Sequence, residues 1–182
     1  MKEVRLHGRG GQGLVKAAHI IVKAAVTTGK YASFIPFFGV ERKGSPVYGF
    51  LRLDDKPIRL KTQVYHPDCL IVLDDTLLDE VNIFEGLKEK AVLVINSTKP
   101  LTNFSLPEEV DTVALVDATN IALKNFQRNI PNTTMLGAFC QATGWVPLDQ
   151  VMALVEEEFG PENAAACEEG YRSTNLLKVR CR

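Results

Sequence analysis

The stretch His7-Gly8-Arg9-Gly10-Gly11-Gln12-Gly13 holds the residues whose types and spacing come nearest to chemistry. Gly8, Gly10 and Gly13 stand in G-x-G-x-x-G register between a short apolar run, Val4 to Leu6, and a helical pattern that starts at Leu14. Glycine at such a junction lets the backbone turn tightly and approach a ligand or a neighbouring backbone closely. The unpaired amides that open the next helix favour an anion, typically a phosphate. That is the physical content of a dinucleotide fingerprint. Its usual companion is an acid about 20 positions on, at the end of the second strand, that holds the ribose hydroxyls. Here Lys30 to Gly39 contains no carboxylate, and the first acid is Glu41. From the residues alone three readings stay open: a phosphate loop, close packing of strand on helix, and contact with another subunit.

Phe37 to Gly44 is the second unusual stretch, with two aromatics, two glycines and the charged triplet Glu41-Arg42-Lys43. It makes a poor core element and reads as an exposed loop after a strand. In a parallel α/β sheet such a loop lies at the same edge as the first glycine turn. Arg42 and Lys43 are therefore expected to face that turn across one cleft, or else to form a solvated surface cluster. Asp74-Asp75, at the end of an apolar run, are candidates for a base or metal site, though such a pair more often caps the next helix or solvates a loop. His7 borders the glycine turn, where it either reaches a ligand or is satisfied by backbone.

The elements that must position these groups follow from hydrophobic periodicity. A first strand over Val4 to His7 leads into a helix over Gly11 to Thr28, which Gly29 closes. A second strand over Tyr31 to Pro36 completes a βαβ unit. Ser45 to Leu53 and Pro57 to Thr62 read as a hairpin across Asp54-Asp55-Lys56, which makes the sheet mixed. Cys69 to Leu73, Ala91 to Ile95 and Val113 to Val116 are continuous apolar runs, as buried central strands are. Asp117 is placed to cap the helix that starts near Ala118. Helices are then expected over Met135 to Thr143, from Pro147 to Gly160, and from Glu162 through Tyr171. Leu176 to Arg180 is a tail that docks or dangles. The expected fold class is α/β: a three-layer Rossmann-like sandwich with a mixed, mostly parallel sheet and a helical C-terminal third, in one domain over residues 1–182.

Composition removes several functions. A formal net charge of −1 over 182 residues gives no electrostatic footprint for nucleic acid or a membrane surface. No apolar run reaches the roughly 20 residues that span a bilayer, and the N-terminus lacks a secretory signal; a cytoplasmic protein is expected. The four cysteines, Cys69, Cys140, Cys167 and Cys181, form no C-x-x-C pair and have no histidine at zinc-finger spacing. No metal or cluster is expected on this chain, and Cys69 and Cys140 read as buried free thiols. No catalytic constellation emerges: there is no G-x-S-x-G elbow and no lysine in a Walker-type loop. A ligand-type sheet edge without its own acid, base or nucleophile suggests part of a larger machine.

Four blocks, His7 to Gly13, Phe37 to Gly44, Asn129 to Ala138 and Asn163 to Tyr171, resemble the gamma subunit of 2-oxoacid:ferredoxin oxidoreductases, the pyruvate type above all. The resemblance implies a complex that oxidatively decarboxylates a 2-oxoacid to an acyl-CoA and passes electrons to ferredoxin. It implies alpha, beta and delta partner subunits. Thiamine diphosphate and magnesium are then held by alpha and beta, and [4Fe-4S] clusters by beta and delta. This chain would serve assembly and the coenzyme A side of the active site, through Gly10, Gly11, Gln12, Gly13, Arg42, Lys43 and Gly44. Where the family more often has Arg-Gly-Gly this chain has Lys43-Gly44-Ser45, which keeps the charge and loses the bidentate fork. The alternatives are a free-standing Rossmann-type nucleotide-binding protein and a purely architectural subunit.

Overall fold

Seven strands form one sheet in the order β2-β3-β1-β4-β5-β6-β7, in a computed structural model that describes residues 1–37 and 44–179. The centre is a parallel run of β1 (Lys2–Arg9), β4 (Cys69–Val72), β5 (Ala91–Asn96) and β6 (Val110–Val116). On one side β3 (Pro46–Asp54) lies antiparallel to β1, and β2 (Tyr31–Phe37) antiparallel to β3. On the other, β7 (Asn175–Lys178) closes the edge antiparallel to β6. The C-terminal tail docks.

Five long helices pack on one face: α1 (Leu14–Thr27), α3 (Ala118–Phe126), α4 (Asn132–Thr143), α5 (Leu148–Phe159) and α6 (Pro161–Ser173). The reason is legible strand by strand. Val4, Leu6, Leu51, Ile71, Val94 and Ala114 alternate onto that face and share one core with the helices. The opposite face carries Leu70, Val72, Leu93, Ile95 and Val113, under a thinner layer of the short helix α2 (Leu77–Glu80), a 3-10 turn at Leu101–Asn103 and loops. α4 is buried from Asn132 to Cys140 without interruption, so it is the central helix of the thick layer. Gly137 and Gly170 allow α4 and α6 to touch backbone to backbone: a Cβ on either would penetrate the other helix's main chain, at Cys167 and Thr134 respectively.

The first strand–helix–strand is a βαβ unit, with β2 parallel to β1, and β3 is inserted between the two strands. One sequence expectation is corrected. Residues 57–62 form no strand. Their alternation of Ile58, Leu60 and Thr62 imitates one, yet Leu60 is exposed and no strand pairs with the segment. What holds the chain just beyond is Arg52, which is buried on β3, pairs with Glu3 at 3.0 Å, and donates to the carbonyls of Thr62 and Gln63 at 2.8 Å each. The sheet is mixed, as expected, through β3 and β7 rather than through a 46–62 hairpin.

Candidate functional site

β1 leaves the sheet at Arg9 and turns into α1 through Gly10-Gly11-Gln12-Gly13. Gly11 and Gly13 sit at φ of +97° and +77°, conformations L side chains rarely adopt. The turn is fastened from three sides. The Gly10 amide donates to the Ser45 carbonyl at 2.9 Å, and the Gly44 amide donates to the Gly10 carbonyl at 3.1 Å. The Gln12 carboxamide accepts from the Arg9 amide at 2.8 Å and donates to Asp74 at 2.9 Å. The Asn132 carboxamide, from the start of α4, donates to the Gly13 carbonyl at 3.3 Å. A buried asparagine there fixes the turn to the helical layer from 119 residues away in sequence.

The turn lies where the order of strands reverses. The chain leaves β1 towards one side of the sheet and resumes at β4 on its other side, so the C-terminal ends of β1 and β4 flank the switch point at which open α/β sheets bind ligands. Asp74 stands just past the end of β4, the parallel neighbour, where a ribose-holding acid would be sought. It is already engaged with Gln12, Thr76 and Arg9. Burial works to raise its carboxyl, but the hydrogen bonds from Thr76 and Gln12, with the Arg9 charge, outweigh that and hold it below the ordinary range. Arg9 is likewise occupied: its guanidinium bonds Glu80 at 2.6 Å, Thr76 at 2.5 Å and the Gly44 carbonyl at 3.3 Å. The hydrogen bond it donates to Glu80, set against partial burial and joined by the Asp74 charge, raises its pKa further. Asp75 accepts from Ser97 and pairs with Lys99 at 3.2 Å. The acid pair is thus a fastening of loops. Among the described residues no group of three or more His, Cys, Asp or Glu side chains converges to hold a metal ion.

Above the turn opens a cleft of about 830 Å³. Its floor is Gly10, Gly11 and Gly13 with the first turn of α1. No side chain caps α1 and no acid sits in its first turn, so the amides of Leu14, Val15 and Lys16 are not consumed within the helix. Lys16 and Arg128 supply positive charge at the rim, and Phe126, Ile130 and Phe159 supply apolar wall. Lys16 lies 5.0 Å over the Phe159 ring. Asn163 completes the wall and is held by Thr133 at 3.3 Å and the Phe159 carbonyl at 3.1 Å. The arrangement suits a ligand with an anionic end and an apolar body.

Of the residues expected at the site, Gly10, Gly11 and Gly13 line the cleft, Gln12 faces the neighbouring polar groove, and Gly44 is tied to Gly10. Arg42 and Lys43 lie outside the described residues. Sequence reading missed Lys16, Phe126, Arg128, Asn132, Phe159 and Asn163. Asn132 and Asn163 were the traceable ones, since both fall in the blocks that carry the family resemblance, in the first turns of α4 and α6. His7 meets neither expectation. It points to the face of the sheet opposite α1, 6% exposed, and its Nε2 has no partner among the described residues. Burial, and then the Arg5 charge, push its pKa down to about 3. Cys69, Cys140 and Cys167 are buried free thiols, with Cys140 pushed up to about 12 by burial. Cys181 lies outside the described residues.

An open mixed sheet with a glycine turn at its switch point, an anion-friendly cleft and a thick single-sided helical layer defines a Rossmann-like α/β fold. A family model for pyruvate ferredoxin/flavodoxin oxidoreductase matches residues 3–173. The gamma subunit common to the pyruvate/ketoisovalerate oxidoreductases of Thermococcus kodakarensis is 48% identical, over 98% of this chain and 100% of that protein. The gamma subunit of the NADH-dependent phenylglyoxylate dehydrogenase of Aromatoleum evansii is 48% identical, over 100% of this chain and 98% of that one. The crystal structure of the pyruvate oxidoreductase subunit PORC of Thermotoga maritima superposes with a TM-score of 0.85 at 36% identity, covering 97% of this chain and 98% of its own. The chain belongs to the pyruvate ferredoxin/flavodoxin oxidoreductase family, among its gamma-type subunits.

Proposed function

We propose that this chain is the gamma subunit of a cytoplasmic complex that oxidatively decarboxylates a 2-oxoacid, pyruvate first, to an acyl-CoA and passes the electrons to ferredoxin. Its partners are alpha, beta and delta subunits. Within that complex it serves assembly and forms the coenzyme A side of the active site. The observation that carries the ligand role is the cleft over Gly10, Gly11 and Gly13. Free helix amides with Lys16 and Arg128 are the chemistry of a pyrophosphate site. The apolar wall of Phe126, Ile130 and Phe159 suits the uncharged remainder of coenzyme A. Gln12 and Gly44 hold the turn rigid for that ligand, and Arg42 and Lys43, outside the described residues, are proposed as further phosphate contacts on the family resemblance alone.

Thiamine diphosphate, magnesium and [4Fe-4S] clusters supply decarboxylation and electron transfer when bound, and they belong to the partner chains. For the clusters alone, the chemistry of Cys69, Cys140 and Cys167 is in keeping with this reading, since they are buried and burial raises their pKa away from the thiolate that binds iron. This chain's part is to fix the anionic end of the thiol substrate and keep water from its tail.

The test is the coenzyme A dependence of the purified complex. Replacing Lys16 and Arg128 by alanine is expected to raise KM for coenzyme A about tenfold in combination, with KM for the 2-oxoacid unchanged. Loss of subunits from the complex at unchanged KM would instead assign the cleft to subunit contact. The isolated chain is expected to turn over no 2-oxoacid.

A further inference from the structure

The β2-β3-β1 half of the sheet has helical cover on one face only. α1 packs over Val4, Leu6, Leu51 and Leu53, while the apolar cluster on the opposite face is confined to β4, β5 and β6. On that opposite face, alternation and register set out two rows across the strands: Phe37, Tyr48 and His7, and beside them Ile35, Phe50 and Arg5. The first row is a ladder of rings, Phe37 on Tyr48 at 4.6 Å and Tyr48 by His7 at 6.1 Å between centroids. Phe37 is 39% exposed, and Tyr65, on the facing loop, is 63% exposed. Between the rows and the segments at 63–66 and 81–86 lies a cavity of about 530 Å³. It is separate from the glycine cleft, and the proposed function does not use it.

Two polar atoms in its wall lack partners. Arg5 Nε and His7 Nε2 are both buried and neither makes a hydrogen bond among the described residues. Buried polar atoms in folded proteins are nearly always paired, so an orphaned pair beside a cavity points to a group that arrives from outside. The charges around it narrow that group. The outer nitrogen of Arg5 is tied to the carbonyls of Ile83 and Glu85 at 2.6 and 2.8 Å. Burial works against its charge, and Glu85 compensates part of that. His7 stays neutral at physiological pH. A further full charge is not called for. A neutral group that both accepts and donates is, and it must come with apolar bulk to cover the exposed rings.

We propose that a partner subunit docks on this aromatic face and seats in the cavity a loop with an Asn, Gln or main-chain amide, which completes the hydrogen bonding of Arg5 and His7. The inference rests on the chain being a subunit of a larger complex. It adds which face is covered and by what chemistry. Stacked rings around a desolvated polar centre are also the composition that concentrates binding energy at protein interfaces.

The test compares the free chain with the purified native complex. Amide hydrogen exchange over residues 31–37, 46–50 and 63–66 is expected to slow at least roughly tenfold in the complex. Tyr65→Glu, chosen because Tyr65 is exposed, is expected to cut recovery of partner subunits roughly tenfold, while the free variant melts within about 2 °C of wild type. Phe37→Glu provides a second, independent probe of the same face. A complex of normal stoichiometry with unchanged exchange at these segments and full tolerance of both variants overturns the inference and leaves the complex intact. A concentration-dependent dimer of the free chain that Tyr65→Glu abolishes overturns it in favour of a second copy. A chain that purifies with no partner at all sinks the subunit reading beneath it.

Discussion

At Gly13 two demands coincide: a φ of +77°, and an Asn132 carboxamide standing where a Cβ would be. Gly11 carries only the first, at φ +97° with open space around it. Alanine at residue 11 is therefore expected to cost about 1 kcal/mol, and at residue 13 about 2–4 kcal/mol, in urea unfolding. Equal losses would mean that the Asn132 contact contributes nothing. His7 makes a pH prediction. Its folded pKa of about 3 lies below the 6.5 of a free imidazole. Between those values the unfolded chain binds the extra proton, so stability falls as pH drops through that window, by up to about 1.4 kcal/mol per pH unit. His7→Phe is expected to flatten that slope while keeping the ring against Tyr48. The glycine turn was legible in the sequence because its glycines are neighbours in the chain. The cleft wall was not, because Phe126, Arg128 and Phe159 come from helix ends more than a hundred residues away.

Elements were legible to the extent that burial imposes a period. β4, β5 and the second half of β6 from Val113 are buried on both faces and read as unbroken apolar runs. α3 announces itself by Asp117, whose side chain accepts from the Asn120 amide at 3.1 Å. β3's place between β1 and β2 depends on pairing with residues some 40 positions away, which no local pattern encodes. Two elements carry sharp stability predictions. Arg52→Ala leaves Glu3 with Lys88 at 3.3 Å as its remaining partner and frees the 62–63 carbonyls, at an expected cost of about 2–3 kcal/mol. Gly137→Ala forces α4 off α6 and is expected to cost about 3 kcal/mol, a fall in melting temperature of about 6–12 °C. A smaller loss in either would show that the segment relaxes without consequence.

At the scale of the whole molecule the two faces of the sheet are unequal, with five long helices on one and short covers on half of the other. A chain built this way gains from company, in keeping with relatives that are subunits of larger oxidoreductases. The position of β7 has a different kind of consequence, in time. β6 is complete by Val116, yet its outer edge is paired only by Asn175–Lys178, far later in the chain. The central strand β1 precedes both of its neighbours, β3 and β4, in the chain. A nascent chain on the ribosome therefore carries β6 with an open edge until Asn175–Lys178 has been made, and such edges invite pairing with other chains. A stalled or truncated product ending before Asn175 is expected to be stickier than one that carries β7.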